Sequence, residues 1–311
     1  MKIHLIPDGT QPNWKSWFIY ILLSPLMRIW LFLFHKEPKY DKKYKVSVCT
    51  VFKNEAPFIK EWIEYQRIVG VDHFYMYNNN STDNYLEILQ PYIDEGIVTL
   101  NQWPEVPCQL GSYTHWYNNY RHESQWVSFL DLDEFFCPKY ADNLVAWLEE
   151  YNNYPVIQIY WRMFGTSGLN NHDYKKLVIE QYHVCWSDLY QTGKILYNTD
   201  YDVTHLHLGM HHRLTAKVKG FPIWPINEYK KFVFDNIHKV GKKPSRIQVN
   251  HYWSKSWGTY AEKMKKGSSA FAKNWKTVES FYWHEGHNNS VDYSAYRFII
   301  RLKERLGIIH I

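Results

Sequence analysis

An α/β protein with a mostly parallel sheet flanked by helices is the fold class this sequence predicts, on three observations. β-Branched and aromatic runs alternate with helix-period segments from residue 45 onward, the order that generates parallel strands with right-handed crossovers. The early strands run into loops rich in Asn, Ser, Thr and Asp. A later run, residues 126–138 (WVSFLDLDEFFCP), delivers Asp131, Asp133 and Glu134 together at the end of a hydrophobic segment, and in open α/β sheets ligands bind beyond the carboxyl ends of strands.

Residues 17–34 (WFIYILLSPLMRIWLFLF) are apolar except for Ser24, Pro25 and Arg28, at the lower edge of the roughly 17–25 residues that cross a bilayer. Pro25 and Arg28 argue against a simple span, so that a single anchor, an interfacial or re-entrant helix and a buried helix all stand as alternatives. By the positive-inside rule the basic stretch 35–45 (HKEPKYDKKYK) places the rest of the chain at the cytoplasmic face of a membrane. Residues 45–52 read as a strand. A helix follows, capped by Asn54, with Pro57 in its first turn and Phe58, Trp62, Tyr65 and Val69 at helical spacing before Gly70. A strand at 73–77 ends in NNNSTD (78–83), where Ser81 or Thr82 would cap a helix carrying Leu86, Leu89 and Ile93 as far as Gly96. Strands at 97–100 and 126–130 complete the pattern.

With 311 residues the chain can form one large domain or two modest ones; the reading here is a membrane-associating segment and linker (1–44), a catalytic domain (45–270) and an extension (271–311). A net charge of +5 is mild and favours a phosphorylated substrate or a membrane surface over wholesale nucleic-acid binding. Cys49, Cys108, Cys137 and Cys185 are dispersed without CxxC spacing, so neither a zinc site nor a disulfide framework is indicated and a reducing compartment is read. Aromatic residues make up 18% of the chain, which suits a surface that stacks on sugar rings.

Strand alternation would put Asp131 and Asp133 on one side, where two carboxylates repel unless a cation lies between them. A hard divalent ion bridging to a phosphate would satisfy both. Loops 50–55 and 78–83 converge on the same rim, and Asn side chains carry the donors and acceptors that reading a uracil or ribose edge requires.

Five ordered motifs add to this: CTVFKNEAPFIKEWIEY (49–65), GVDHFYMYNNNSTDN (70–84), FLDLDEF (129–135), WRMFGTSG (161–168), and NHYWSKS (250–256) with its trailing KMKKG (263–267). Over roughly residues 45–267 they resemble the nucleotide-sugar glycosyltransferases of GT-A fold and, within them, glycosyltransferase family 92. The resemblance implies a GT-A fold with a Rossmann-like sheet, and inverting transfer of a hexose, galactose from a UDP-sugar, to a glycan or lipid-linked acceptor. It implies Mn2+ (or Mg2+) as the metal. On the same resemblance Asp133 is the direct metal ligand and a catalytic group, Asp131 reaches the ribose or the metal through water, and His251 completes the metal shell. Nucleotide contacts fall to Thr50, Phe52, Asn54, Glu55, Asn79, Asn118, Asp131 and Lys255. Asn79 stands where related transferases often hold an Asp, which leaves the base preference open.

Inversion needs a base that takes a proton from the acceptor hydroxyl. Glu180, in LVIEQYHVCW (177–186), is the first choice, with Asp173 and Asp188 as alternatives. His205 and His207 would share one strand face, followed by His211 and His212; zinc is conceivable, but the preferred reading is groove-lining or hydrogen-bonded core histidines. Trp161, Trp186, Trp224, Trp253 and Trp257 offer sugar platforms, and Met163, Phe164, Gly165 and Gly168 mark a close backbone approach near the acceptor. Residues 293–311 place Phe298, Leu302, Leu306 and Ile309 on one stripe beside Arg297, Arg301, Lys303 and Arg305. Such a basic amphipathic helix lies on an anionic leaflet or packs against the domain. Asn79 and Asn80 each begin a glycosylation sequon inside the nucleotide loop, which argues against lumenal residence. Two rival readings are a metal-dependent nucleotidyl or phosphoryl transferase and a non-catalytic glycan-binding protein.

Overall fold

The structure is a computed structural model that describes residues 5–9, 11–36, 41–206, 209, 211–266 and 276–310. A short strand β1 (Leu5–Ile6) precedes a long helix α1 (Trp14–Phe34). The expected alternation follows: β2 (Tyr44–Phe52), α2 (Ala56–Ile68), β3 (His73–Asn78), α3 (Tyr85–Asp94), β4 (Val98–Gln102), α4 (Gln109–Asn119) and β5 (Ser124–Phe129). The second half is less regular, with β6 (Glu134–Pro138), α5 (Leu144–Leu148), β7 (Val156–Met163), α6 (Val178–Gln181), β8 (Val184–Trp186) and β9 (Leu189–Asn198). Six short strands come next: β10 (Asp202–Val203), β11 (Ala216–Val218), β12 (Phe221–Ile223), β13 (Ile226–Asn227), β14 (Val233–Phe234) and β15 (Ile237–His238). The chain closes through β16 (Ile247–His251), α7 (Trp257–Lys266), α8 (Val278–Glu285), β17 (Asn288–Val291) and α9 (Ile299–Arg305).

The main sheet runs β4-β3-β2-β5-β9-β7-β16-β6. β4, β3, β2 and β5 are parallel neighbours, as are β7 and β16, whereas β9 runs against both its neighbours and β6 runs against β16. The α/β, mostly parallel reading therefore holds, with three reversals in the second half. The carboxyl ends of β2, β3, β5, β7 and β16 consequently share one rim. β2 is buried from Val46 to Phe52, as a strand covered on both faces must be. α2 covers one face through Phe58, Ile59, Trp62 and Ile63, all buried. Its Trp62 indole and Gln66 amide both donate to the Glu134 carbonyl, at 2.8 and 2.9 Å, which ties this helix to the start of β6.

The expected helix caps are absent because their side chains serve the loops instead. Asn54 sits at φ +51°, one residue before the actual N-cap, Glu55. Its amide N–H donates to Ser81 Oγ (2.9 Å) and its Oδ1 accepts from the Thr82 N–H (2.7 Å). Neither Ser81 nor Thr82 caps α3, whose N-cap position is Asn84. Short polar side chains that can bond neighbouring backbone have been diverted from capping to stitching the β2 and β3 loops together.

The carboxyl-terminal segment packs on the domain, the second of its two expected placements. Phe298 and Leu302 are fully buried, and the Phe298 ring meets Tyr65 of α2 edge-on at 5.6 Å. Arg305 pairs with Glu64 at 2.6 Å, and Arg297 donates to the carbonyls of Pro138 and Lys139. β17 pairs with β8. Replacing Phe298, the residue just before α9, by Ala should therefore lower stability by about 3–5 kcal/mol, whereas Ile300→Ala, at an exposed position of α9, should change it by less than about 0.5 kcal/mol. Urea unfolding midpoints measure both, and equal effects would contradict this packing.

Candidate active site

β5 ends at Phe129, so Asp131 and Asp133 lie in a turn and strand alternation does not govern them. The turn is closed by Glu134, whose N–H donates to the Asp131 carbonyl (3.0 Å) and whose Oε2 accepts from the Asp131 N–H (2.9 Å). The two aspartates then face different partners. Lys194 of β9, completely buried, lies 2.9 Å from Asp131 Oδ2 and 3.0 Å from Glu134 Oε2. Asp133 pairs with Lys263 of α7, and its Oδ1 lies 3.5 Å from His251 Nε2. Glu134 Oε1 stands behind that imidazole, 3.8 Å from Nδ1. Burial opposes ionisation of Asp133, yet the Lys263 ammonium and His251 together hold its carboxyl well below the usual carboxylate range. Burial lowers the pKa of His251, against the pull of Asp133, which favours a neutral imidazole.

The NHYWSKS motif supplies a second feature. Lys255, expected as a nucleotide contact, is fully buried, at φ +52°. Its Nζ has no hydrogen-bond partner among the described residues and stands 4.0 Å from the Phe58 ring centroid. Burial, reinforced by Lys263, lowers its pKa to about 8. Lys266 donates to the Asn54 carbonyl and pairs with Glu55 at 3.2 Å. Lys266 thus reaches the loop that follows β2, Lys255 the first turn of α2 and Lys263 the acidic turn after β5.

The other expected nucleotide contacts divide. Thr50 is buried at the rim end of β2 with Oγ1 unpartnered among the described residues, and Phe52 packs edge-on to Tyr85 at 5.3 Å. Asn79 is buried, its amide donating to the carbonyls of Trp103 (2.8 Å) and Glu105 (2.9 Å), and Asn80 donates to Pro104 (2.9 Å). Both therefore clamp the loop after β4. Asn118 is displaced from the site. α4 runs from Cys108, beside the rim, back to the opposite edge of the sheet, where Tyr120 and Glu123 lead into β2 and β5. Asn118 is exposed near that far end, because a helix between parallel strands returns the chain to their starting edge.

Glu180 is not presented to the rim. Its carboxylate accepts from the Leu177 N–H at 3.0 Å and pairs with Lys303 of α9, while Tyr296 donates to its carbonyl. Asp173 is exposed and accepts from the Lys175 N–H (3.0 Å), and Asp188 lies in the turn between β8 and β9. A carboxylate that sequence reasoning missed joins the loops after β7 and β16, Glu285 of α8. It accepts from Thr166 (N–H 3.1 Å, Oγ1 2.8 Å) in the loop after β7 and from Ser254 Oγ (3.2 Å) in the loop after β16. Gly165 does mark a close approach, to this element and not to an acceptor: a Cβ there would lie 1.8 Å from Asn288 Nδ2 and 2.7 Å from Glu285 Oε1. Glu285 lies 119 residues from Thr166 in the chain; its one local signal is a carboxylate closing an aromatic helix.

His212 bonds the Gly193 carbonyl (2.8 Å) and packs edge-on to Trp161, and burial lowers its pKa to about 3, as a hydrogen-bonded core histidine should behave. His205 is exposed and outside any strand, and His207 lies outside the described residues. Among the described residues no three His, Cys, Asp or Glu side chains form a ready metal cluster; Asp133 and His251 face each other, while Asp131 is turned to Lys194. Trp186, Trp224 and Trp253 are buried, which leaves Trp161 and Trp257 as the partly exposed rings of the expected five. Trp161 stands 4.7 Å from His251 and is parallel to Tyr190 at 6.2 Å.

An α/β sheet whose rim sets an acidic turn against clustered ammonium groups belongs to the class of open α/β folds that bind their ligands beyond the carboxyl ends of the strands. The model of glycosyltransferase family 92 matches residues 42–283, and the chain belongs to that family. It is 26% identical over 247 residues to a glycosyltransferase family 92 protein of Ricinus communis, covering 75% of this chain and 39% of the relative. A family 92 protein of Oryza sativa subsp. japonica is 26% identical over 252 residues (78% and 40%). A galactan beta-1,4-galactosyltransferase of Arabidopsis thaliana is 26% identical over 217 residues (60% and 40%). The chain spans about two fifths of the length of these relatives. The crystal structure of S. aureus TarS 1-349 in complex with UDP aligns with 16% identity and a TM-score of 0.33 over 50% of this chain and 47% of that one, too distant to bear on function.

Lys194→Met would leave Asp131 and Glu134 without their cation and should cost about 3–5 kcal/mol. Adding Glu134→Gln should recover a large part of that loss. Chemical denaturation of the single and double variants tests the pairing, and a double variant no more stable than the single one would refute it.

Proposed function

We propose that this chain is an inverting glycosyltransferase that moves a hexose, galactose, from a UDP-sugar to a glycan or lipid-linked saccharide with the help of a divalent metal. The observation that carries this reading is the rim itself, where Asp133 and His251 face each other at 3.5 Å beside the lysines of residues 255–266. Family membership supports sugar transfer, and the galactosyltransferase name of one relative supports galactose.

The donor set fits a divalent ion. One carboxylate oxygen meets one imidazole nitrogen, and burial holds the imidazole neutral, the form that ligates metals. A metal held by Asp133 and His251 would act as a Lewis acid toward the departing diphosphate. The chain's own groups do the rest: Lys255 and Lys266 place positive charge where diphosphate oxygens arrive, the loops after β2 and β3 bound the nucleoside, and Trp161 offers the acceptor a flat apolar face. Glu285 acts as a positioning residue that holds the loops after β7 and β16 in register. Glu180, tied to Lys303, has no part in this scheme.

With UDP-galactose, manganese and a galactan acceptor, the protein should release UDP, and chelation should stop release. Asp133→Ala should lower turnover about 100-fold or more, whereas Lys255→Met should raise the donor KM about tenfold or more through loss of a charged contact. Pyrophosphate release from nucleoside triphosphates would favour a nucleotidyltransferase instead. Glycan binding that ignores both chelator and Asp133→Ala, without turnover, would favour a binding protein.

A further inference from the structure

α1 is long and apolar enough to cross a bilayer, yet the way it is held points to a different placement. One stripe, Tyr20, Met27 and Leu31, is buried against the domain. Polar contacts pin that side along the length of the helix. Ser16 Oγ donates to Asp235 Oδ2 (2.9 Å), Tyr20 Oη to the Phe232 carbonyl (3.2 Å), Arg28 to the Lys230 carbonyl (3.2 Å) and Trp30 Nε1 to the Val218 carbonyl (2.7 Å). Tyr20 also stacks on Trp224 at 6.2 Å, and Trp30 meets Phe221 at 5.3 Å. All these partners belong to residues 218–235, so the helix lies lengthwise on the β11–β15 region. Standing it across a bilayer would break all four bonds and strip the buried stripe.

The opposite side is apolar and uncovered. Trp14, Phe18, Ile21, Ile29, Phe32 and Leu33 are 58–79% exposed, a contiguous row of the kind that soluble surfaces seldom leave open. The surface beside it is basic. Residues 216–243 hold seven lysines against Glu228 and Asp235. Lys219, Lys231 and Lys239 are exposed next to the helix contacts, and the Lys239 ammonium stands 5.5 Å from the Trp17 ring and 4.8 Å from Tyr20. An apolar row bordered by ammonium groups and tryptophans complements acyl chains beneath anionic headgroups. A second copy of this chain would meet like charge along the same border.

We propose that α1 lies in the plane of an anionic lipid leaflet, with its exposed row among the acyl chains and the lysines of residues 219–239 at headgroup level. This placement stands whether or not the catalytic reading does. It also sets the rim close to the lipid: β1, just before the helix, pairs with β9 at Leu189 and Tyr190, and Asp8 accepts from Tyr190 Oη at 2.8 Å. Tyr190 in turn lies against Trp161.

The test is flotation of the full chain with vesicles of phosphatidylcholine alone or with 30% phosphatidylglycerol, a composition chosen for about that anionic share. The protein should float with anionic vesicles, in a salt-sensitive way, and much less with neutral ones. Ile21→Glu with Phe32→Glu should leave it at the bottom of the gradient with its thermal transition unchanged, and Lys219→Glu with Lys231→Glu and Lys239→Glu should weaken binding to anionic vesicles at least tenfold. Spin labels at Phe18→Cys, Leu26→Cys and Leu33→Cys report depth, since the four native cysteines are buried. Equal shallow depths are expected; a deep maximum at residue 26 would mean a spanning helix and overturn the proposal. So would failure to float, equal flotation with neutral vesicles, or a dimer in sedimentation that the Ile21→Glu, Phe32→Glu variant dissolves.

Discussion

A single buried ammonium group organises the acidic turn. Lys194 carries its charge at a position with no solvent exposure, between Asp131 and Glu134. Three carboxylates within four residues would repel one another in so enclosed a place, and the lysine allows two of them to sit together. The consequences spread outward from Glu134. Its carbonyl anchors two side chains of α2, its backbone is paired with His251 across the β6–β16 ladder, and its carboxylate reaches both the Asp131 N–H and the far side of the His251 ring. Asp133 is left as the carboxylate that can face His251.

The lysines also change what the acidic turn means. In the sequence, paired aspartates ask for a cation and a divalent ion is the economical answer. The fold brings ammonium groups from residues 194 and 263 directly onto those aspartates, and from 255 and 266 onto the neighbouring loop. The positive charge at this rim thus comes largely from a motif more than a hundred residues beyond the aspartates. Lys255 illustrates the arrangement most plainly, since its ammonium group is buried against a Phe ring without a hydrogen-bond partner among the described residues, a placement that is costly for a charge.

Much of the first half was legible because its strands are buried on both faces and read as continuous apolar runs. β2, β3 and β5 fell within a residue or two of expectation, and Gly70 and Gly96 do stop their helices at positive φ. What escaped reading was tertiary. Asn54, Ser81 and Thr82 look like caps, but their bonds go to each other's loops. The alternation expected of Asp131 and Asp133 fails because the strand ends at Phe129, before either aspartate. Asn118 carries no local sign that α4 runs away from the rim and takes it to the far edge of the sheet. The two- and three-residue strands between residues 202 and 238 are too short to carry any period. The family motifs named Asp133, His251 and Lys255 in one neighbourhood, whereas Glu180 was chosen by position after a strand and is held by a helix that the motifs do not include.

The Glu285 clasp has a bearing on how the protein is made. One carboxylate from α8 holds the loops after β7 and β16 in place, and Gly165 leaves room for nothing but that element and its neighbour. During synthesis the loops after β2 and β3 are complete once β5 has emerged, while the clasp on the loops after β7 and β16 waits for residues more than a hundred positions later. A nascent chain therefore passes through a long interval in which those two loops exist without the carboxylate that joins them.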